Sequence, residues 1–222
     1  RMRLVLFDLD NTLLGGDSDF EWAQFLIEKK ILDKDSYESR NEQFYRAYQS
    51  GTLDIMEFLD FQLRPLSQYS RHQLNDWHKD FMREKIHPMI KDPARELVHR
   101  FEGELIAIVT ATNAFITRPI ADEFGVKHLI ATDLEEKKGE FTGRVVGLPS
   151  FKEGKVKRVD SWLSSIGFAK HSFEESLFFS DSINDLPLLE EVHTPVAVNP
   201  DPRLLAHAES KGWEVLHLHG EN

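Results

Sequence analysis

The chain has 222 residues, of which 41% are apolar, and 27 Lys and Arg against 38 Asp and Glu give it a formal net charge of -11. This composition excludes a disordered acidic chain, and the negative charge disfavours nucleic acid or an anionic membrane as a partner. The chain has no Cys for a disulfide or thiolate site, and no apolar run is long enough for a signal peptide or a membrane span, so we expect a cytoplasmic protein.

The first 87 residues are predicted to form one strand followed by helices. The apolar run at 4–7 ends at a cluster of acids, which is typical of a buried parallel strand that ends at a site. From 15 to 87 the apolar residues recur at helical spacing and no strand is predicted. Ser70 and Gln73 form a capping box at the start of one helix. The apolar face of an earlier helix is predicted to comprise Leu53, Met56, Leu59 and Leu63.

Strands and helices are predicted to alternate after residue 87. Helices are expected at 92–103, 113–125, 154–166 and after 185, and strands at 105–109, 129–131, 177–179, 195–198 and 214–218. Three glycines indicate a hairpin, namely Gly139, Gly143 and Gly147. This alternation predicts an α/β fold with a doubly wound parallel sheet. The core would comprise 1–14 and 88–222, interrupted by an all-helical insert at 15–87.

Polar side chains stand where the predicted core strands end. Asp8 and Asp10 follow the first strand, Thr110 ends the second, and Asp181 follows a later strand. Ligands of such sheets bind at the carboxyl ends of the strands. Paired carboxylates near a core are costly unless a cation neutralises them, so we expect one Mg²⁺. A pair of aspartates alone is more often a cap or a turn, and the companion motifs carry the interpretation.

The order of these motifs resembles the haloacid dehalogenase superfamily of phosphohydrolases. The motifs are Asp-x-Asp-x-Thr from 8 to 12, Thr110 after an apolar strand, Lys155 at a helix start, and SDSINDLPLL from 180 to 189. The fold this resemblance implies is a Rossmann-like core. The helical insert is similar, in position and helicity, to the cap of the phosphoserine-phosphatase-like branch.

The resemblance implies a metal-dependent phosphatase that forms an aspartyl phosphate. Asp8 would attack phosphorus and contact Mg²⁺. Asp10 would protonate the leaving alkoxide, deprotonate the hydrolytic water, and contact Mg²⁺ through its backbone carbonyl. Asp181 would be a further metal ligand.

The remaining motif residues would bind phosphate or support the site. Thr110 and Lys155 would hold the phosphoryl oxygens, with Lys152 and Lys157 as alternatives to Lys155. Asp185 would hold the metal through water or orient its neighbours, and Asn184 would assist.

Substrate choice would lie in the cap, where Asp17 stands in place of a Glu of phosphoserine phosphatases. Asp60 aligns with their carboxylate-binding Arg, and Arg64 lies one turn further on. An acid at that position would favour an amine over a carboxylate, so the hypothesis is a small phosphorylated amino alcohol such as histidinol phosphate. The alternatives are that Asp60 lies on a solvated helix face and that the substrate is phosphoserine.

Three further alternatives stay open at this point. A phosphomutase or phosphotransferase would use the same Asp8. A non-catalytic regulator that binds phosphate or Mg²⁺ would need neither Asp8 nor Asp10, yet both are present. His217 and His219 alternate along the strand predicted at 214–218 and could be metal ligands, although surface residues are the preferred interpretation. The oligomeric state is not predicted.

Overall fold

A single seven-stranded sheet forms the centre of the molecule in a computed structural model that describes residues 2–220. The strands are β1 (Leu4–Phe7), β2 (Leu105–Asn113), β3 (His128–Lys137), β4 (Glu140–Val146), β5 (Ser176–Ser180), β6 (Thr194–Val198) and β7 (Glu214–Leu216). Their order in the sheet is β4-β3-β2-β1-β5-β6-β7, and all neighbours are parallel except β3 and β4. The prediction of a doubly wound α/β core is confirmed.

Within residues 2–220, five helices lie between β1 and β2, and four more connect or follow the later strands. The first five are α1 (Ser18–Glu28), α2 (Lys34–Ser50), α3 (Ile55–Gln68), α4 (Arg71–Phe81) and α5 (Asp92–Arg100). The others are α6 (Ala114–Glu123), α7 (Glu153–Ser165), α8 (Leu186–Leu189) and α9 (Pro202–Lys211). Short helical turns at Met82–Ile86 and His87–Met89 continue α4. None of the helices within residues 2–220 is both long and apolar enough to cross a bilayer.

The helical insert begins and ends at adjacent points of the sheet. Leu14 and Ile90 form an isolated antiparallel bridge, so the chain leaves and re-enters the core at one place. The predicted capping box of Ser70 and Gln73 is present at the start of α4. Met56 is 55% exposed, so its predicted place on the apolar face of α3 is wrong. The division into domains at 15 and 87 stays a prediction.

The insert contributes to the main hydrophobic core instead of packing only on itself. Trp22 of α1 and Phe81 of α4 are fully buried against each other, and Trp22 also contacts Phe115 of α6 edge to face. A smaller cluster of Phe44 and Phe151 with Leu53 lies apart from that core. Helices α1 and α4 are thereby fixed to the core.

Three elements differ from the prediction. Strand β3 runs to Lys137 because β4 pairs with its charged second half, where no apolar pattern marks a strand. Strand β2 continues past Thr110 to Asn113, through a register irregularity against β3. Helix α9 was not predicted, although Asp201 caps its start and Gly212 ends it in the left-handed conformation.

Candidate active site

Four of the predicted residues meet at the carboxyl edge of the sheet. Asp8 directly follows β1, Asp181 directly follows β5, and Thr110 lies in β2 beside them. Parallel strands end on the same edge of a sheet, so these side chains converge although the sequence separates them widely. Lys155 enters from the first turn of α7.

The approach of Lys155 depends on the glycine before it. A Cβ at position 154 would lie 2.2 Å from the carbonyl oxygen of Pro149, closer than any side chain permits. Gly154 therefore lets the first turn of α7 pack directly against the preceding loop. The packing delivers Lys155 into the interior, where its side chain is only 1% exposed.

Lys155 bridges two buried carboxylates. Its Nζ lies 3.0 Å from Asp8 Oδ1 and 2.8 Å from Asp185 Oδ1. Burial alone would lower the pKa of Lys155, but the charges of Asp185 and Asp8 raise it above its ordinary value. Burial raises the pKa of Asp185 to about 6 despite the lysine, and Ser180 Oγ donates to its Oδ2 at 2.7 Å. The lysine is thus a permanent local cation. Lys157 is exposed, and Lys152 Nζ donates to Gly51 instead.

A single hydroxyl stands between Asp8 and Asp181. Thr12 Oγ1 lies 3.0 Å from Asp8 Oδ2 and 3.0 Å from Asp181 Oδ1, and it accepts the backbone N–H of Asp181 at 3.0 Å. The hydroxyl has one proton and can donate to only one carboxylate at a time. Burial and then the negative charge of Asp8 raise the pKa of Asp181 well above its ordinary value. This edge of the site therefore has an excess of negative oxygens.

These oxygens fit a hard cation. Within residues 2–220, no three Asp, Glu or His side chains form a ready-made metal shell. Asp8 and Asp181 nevertheless supply two carboxylates, the number that Mg²⁺ commonly takes from a protein while it keeps several waters. The side-chain oxygen of Asn184, three residues after Asp181, is buried and has no hydrogen-bond partner in the described part of the chain. Two carboxylates with backbone and water oxygens are thus a suitable donor set.

Asp10 has surroundings that favour a proton on its carboxyl group. Its Oδ1 accepts the backbone N–H of Ser18 at 2.6 Å, and its Oδ2 accepts the hydroxyl of Thr112 at 2.7 Å. Burial outweighs these hydrogen bonds and raises the pKa of Asp10 above its ordinary value. Thr110 Oγ1 lies 3.5 Å from the same Oδ2. Thr112 was not predicted, although its position two residues after Thr110 in β2 places both hydroxyls on one face.

A pocket opens above Asp8 and Asp10, between the sheet edge and helices α1, α2 and α3. Four carboxylates line it, those of Asp8, Asp10, Asp17 and Asp19. Six aromatic residues also line it, namely Phe20, Phe44, Tyr45, Tyr48, Phe58 and Phe151. No Lys, Arg or His is among the described lining residues. The pocket is therefore both acidic and aromatic.

The two acids of α1 differ in their surroundings. Asp17 caps the helix by accepting the backbone N–H of Phe20 at 2.8 Å, and burial followed by the charges of Asp10 and Asp19 raises its pKa well above the ordinary value. Asp19 is buried and accepts a hydrogen bond from Gln62 Nε2 of α3. Burial, followed by the charge of Asp10, raises the pKa of Asp19 to about 8. Asp17 lies in the pocket as expected, and Asp19 was missed.

Asp60 and Arg64 do not reach this pocket. They form an ion pair with each other at 3.1 Å, and their side chains are 77% and 59% exposed. Both line a separate surface depression on the outer side of α2 and α3. Asp60 therefore lies on a solvated helix face, which was the alternative interpretation of this residue, and neither side chain can contact a ligand in the pocket.

Three side chains from the α/β core donate hydrogen bonds to the carboxyl end of α2. Asn184 Nδ2 donates to the carbonyl of Tyr48 at 2.7 Å, Arg203 Nη1 to that of Ser50 at 2.8 Å, and Lys152 Nζ to that of Gly51 at 3.2 Å. The last carbonyls of a helix lack partners within the helix, and cations there interact favourably with its dipole. These bonds hold α2, with Tyr45 and Tyr48, over the site.

Most of the chain matches one family model, and a relative of similar length is known. Residues 5–190 match the model described as haloacid dehalogenase-like hydrolase. A histidinol-phosphatase of Neisseria meningitidis serogroup C is 46% identical over 218 residues, which cover 97% of this chain and 98% of that protein.

Two solved structures share the architecture. A protein of unknown function from Bordetella pertussis Tohama I has a TM-score of 0.92 at 47% identity, covering 98% of this chain and 99% of that chain. A phosphoserine phosphatase, solved as an analogue of its phospho-aspartyl intermediate, has a TM-score of 0.71 at 17% identity over 100% of this chain and 95% of that chain. At that identity the second match shows the fold alone.

Proposed function

This chain belongs to the haloacid dehalogenase-like hydrolase family and is one of its phosphatases, and we propose that its substrate is histidinol phosphate. The lining of the pocket carries the proposal. An acidic, aromatic cavity suits a phosphomonoester whose leaving group bears an ammonium group and an imidazole ring. The similarity to the histidinol-phosphatase of Neisseria meningitidis supports the same substrate.

The pocket disfavours a substrate that carries a carboxylate. Lys155 is already paired with two buried acids, and no Lys, Arg or His is among the described residues that line the cavity. The carboxylate of phosphoserine would therefore face the acids of α1 without a partner. Desolvation of an unpaired charge is costly, so we expect the amino alcohol to bind better.

The proposed reaction proceeds in two steps on Asp8. In the first, an Asp8 oxygen bonds to phosphorus, the bond from phosphorus to the leaving oxygen breaks, and Asp10 gives that oxygen its proton. In the second, Asp10 takes a proton from water as the water attacks the aspartyl phosphate, which releases inorganic phosphate. The raised pKa of Asp10 suits a group that must first give and then accept a proton.

The proposed cofactor is Mg²⁺, which would supply positive charge for the phosphoryl oxygens. Asp8, Asp181 and the backbone carbonyl of Asp10 would hold it, with Asp185 and Asn184 in support. Lys155 adds a fixed cation on the other side of Asp8, and the Thr110 hydroxyl would donate to a phosphoryl oxygen. A cytoplasmic location and the lack of a nucleic acid partner stay predictions from composition.

A substrate panel tests the proposal. Phosphate release is measured with Mg²⁺ on histidinol phosphate, phosphoserine and phosphoethanolamine. We expect kcat/KM for histidinol phosphate to exceed that for phosphoserine by roughly a hundred-fold, since only one of them brings a carboxylate into the pocket. A preference for phosphoserine would refute the assignment. Phosphate release without a bisphosphate activator separates a phosphatase from a phosphomutase.

A matched pair of variants tests whether Asp17 binds the leaving group of the substrate. Asp17→Asn keeps an oxygen that can cap α1 but removes the carboxyl group that a bound ammonium group would ionise, so KM for histidinol phosphate should rise about ten-fold or more. Asp33→Asn makes the same change at the exposed cap of α2 and should leave KM unaltered. Equal effects of the two substitutions would contradict a charge-based role for Asp17.

A further inference from the structure

The segment after β7 packs beneath the loop that carries Asp8. The sequence favours a surface position for both His217 and His219, and His217 is exposed as predicted. His219 is half-buried, and its Nε2 lies 2.8 Å from the backbone carbonyl oxygen of Thr12. Because a carbonyl oxygen can only accept, Nε2 is the protonated nitrogen and donates this bond.

Hydrogen bonds from the Asn199 side chain fix the backbone that carries the imidazole ring. Asn199 Oδ1 accepts the N–H groups of Leu218 at 2.8 Å and His219 at 3.1 Å, and Asn199 Nδ2 donates to the His219 carbonyl at 2.9 Å. Asn199 itself has a φ of 41°, in the region that Asn tolerates better than most residues. The segment is thus tied to the turn after β6 by three bonds from one side chain.

The loop between Asp8 and α1 leaves space for the His219 ring. A Cβ on Gly15 would approach His219 Nδ1 to 3.3 Å, so only a residue without a side chain fits there without displacement. Nδ1 is buried and has no hydrogen-bond partner within the described residues. Among residues 2–220, the ring therefore has one hydrogen bond, the bond to Thr12.

We propose that His219 is a positioning residue for the phosphoryl-transfer reaction. Its bond to the Thr12 carbonyl holds the backbone of Thr12 in place. The side-chain hydroxyl of the same residue lies between Asp8 and Asp181. Without this bond the loop gains freedom, and the attacking carboxylate and the metal ligand lose their mutual alignment. Small displacements of reacting groups reduce rates strongly, whereas the pocket that binds the leaving group is formed elsewhere.

The test compares kcat and KM in four variants of the full chain with Mg²⁺. The assay uses whichever phosphomonoester the substrate panel shows to be turned over fastest, so the outcome does not depend on histidinol phosphate being that substrate. We expect His219→Ala to lower kcat about ten-fold or more with less than about a two-fold change in KM. His217→Ala, two residues away and exposed, should retain the parent kcat.

Two further substitutions separate the hydrogen bond from packing. His219→Phe retains the ring volume without a donor and should lose as much kcat as the alanine variant. His219→Gln carries an amide N–H at a similar distance and should recover a large part of kcat. Circular dichroism and thermal unfolding correct each rate for the folded fraction. A phenylalanine variant with the parent kcat, or a glutamine variant no better than alanine, would overturn the proposal.

Discussion

Asp8 Oδ1 lies 3.0 Å from Lys155 Nζ, and both side chains are almost completely buried. Together with Asp185 they form a cluster of two carboxylates and one ammonium group at the end of β1. The loss of one partner from such a cluster leaves an uncompensated buried charge. The stability of the fold and the charge balance of the proposed nucleophile therefore depend on the same lysine.

Replacement of this lysine should destabilise the metal-free protein. We expect Lys155→Met to lower the free energy of unfolding by about 3–5 kcal/mol, because Asp8 and Asp185 both lose their cation. Urea unfolding in EDTA measures the change. Lys157→Met, two residues further along α7 and exposed, is the control and should unfold at the parent midpoint. A parent-like midpoint for the Lys155 variant would contradict the pairing.

Asp8→Asn should abolish turnover without loss of the fold. The amide cannot act as the nucleophile, so kcat should fall by at least about a thousand-fold. Circular dichroism and gel filtration check that the variant is folded. Mass spectrometry of acid-quenched enzyme should detect a phosphorylated peptide at Asp8 only in the parent. Retained activity of a folded variant would remove Asp8 from its proposed role.

Addition of Mg²⁺ should raise the unfolding temperature of the parent. The ion would neutralise the carboxylates of Asp8 and Asp181, and ligand at a hundred times its Kd stabilises by about 2.7 kcal/mol. Differential scanning fluorimetry compares MgCl₂ with KCl at the same ionic strength. Asp181→Asn should lose most of the Mg²⁺-specific shift, and an unchanged shift in this variant would place the ion elsewhere.

Asp19→Asn should stabilise the protein above pH 8. Burial raises the pKa of Asp19 to about 8, so the native state holds a proton that the unfolded state releases near its ordinary value of 3.8. Native Asp19 therefore binds more protons between these values, and the contribution of Asp19 to stability falls as the pH rises through this window.

The asparagine variant lacks this charge but can still accept the hydrogen bond from Gln62. Its unfolding temperature should exceed that of the parent by about 2–4 °C or more at pH 8.5, since about 1 kcal/mol corresponds to that shift in a protein of this size. At pH 4 the two proteins should differ little. A parent-like temperature at pH 8.5 would mean that Asp19 is stable as an anion.

The strand-end residues were predictable because a parallel sheet brings them together without further information. Asp8, Thr110 and Asp181 each follow or end an apolar run, and the matching family model confirms the resemblance stated from the motifs. Their individual roles stay predictions. The helix starts at Ser70 and Asn113 were predictable from capping chemistry alone.

The lining of the pocket was only partly predictable, because it depends on which face of each inserted helix is turned inwards. Sequence alignment placed Asp60 at a substrate-binding position, whereas Leu59 and Leu63 are among the buried residues of α3 and Asp60 points to solvent. Neither Asp19 nor Thr112 belongs to a sequence motif that would have identified it as a site residue. Their positions follow from the packing of α1 and the extension of β2, which are properties of the tertiary structure.

The bonds at the carboxyl end of α2 have a consequence for how the pocket can change. The side chains of Asn184, Lys152 and Arg203 all donate to backbone carbonyls at the end of α2. A backbone carbonyl is present whatever side chain the residue carries. Substitution of Tyr45 or Tyr48 should therefore alter the wall of the pocket, while the hydrogen bonds that attach α2 to the α/β core persist. Libraries randomised at these two tyrosines should yield folded phosphatases with altered substrate ranges, so the recognition surface is free to diversify.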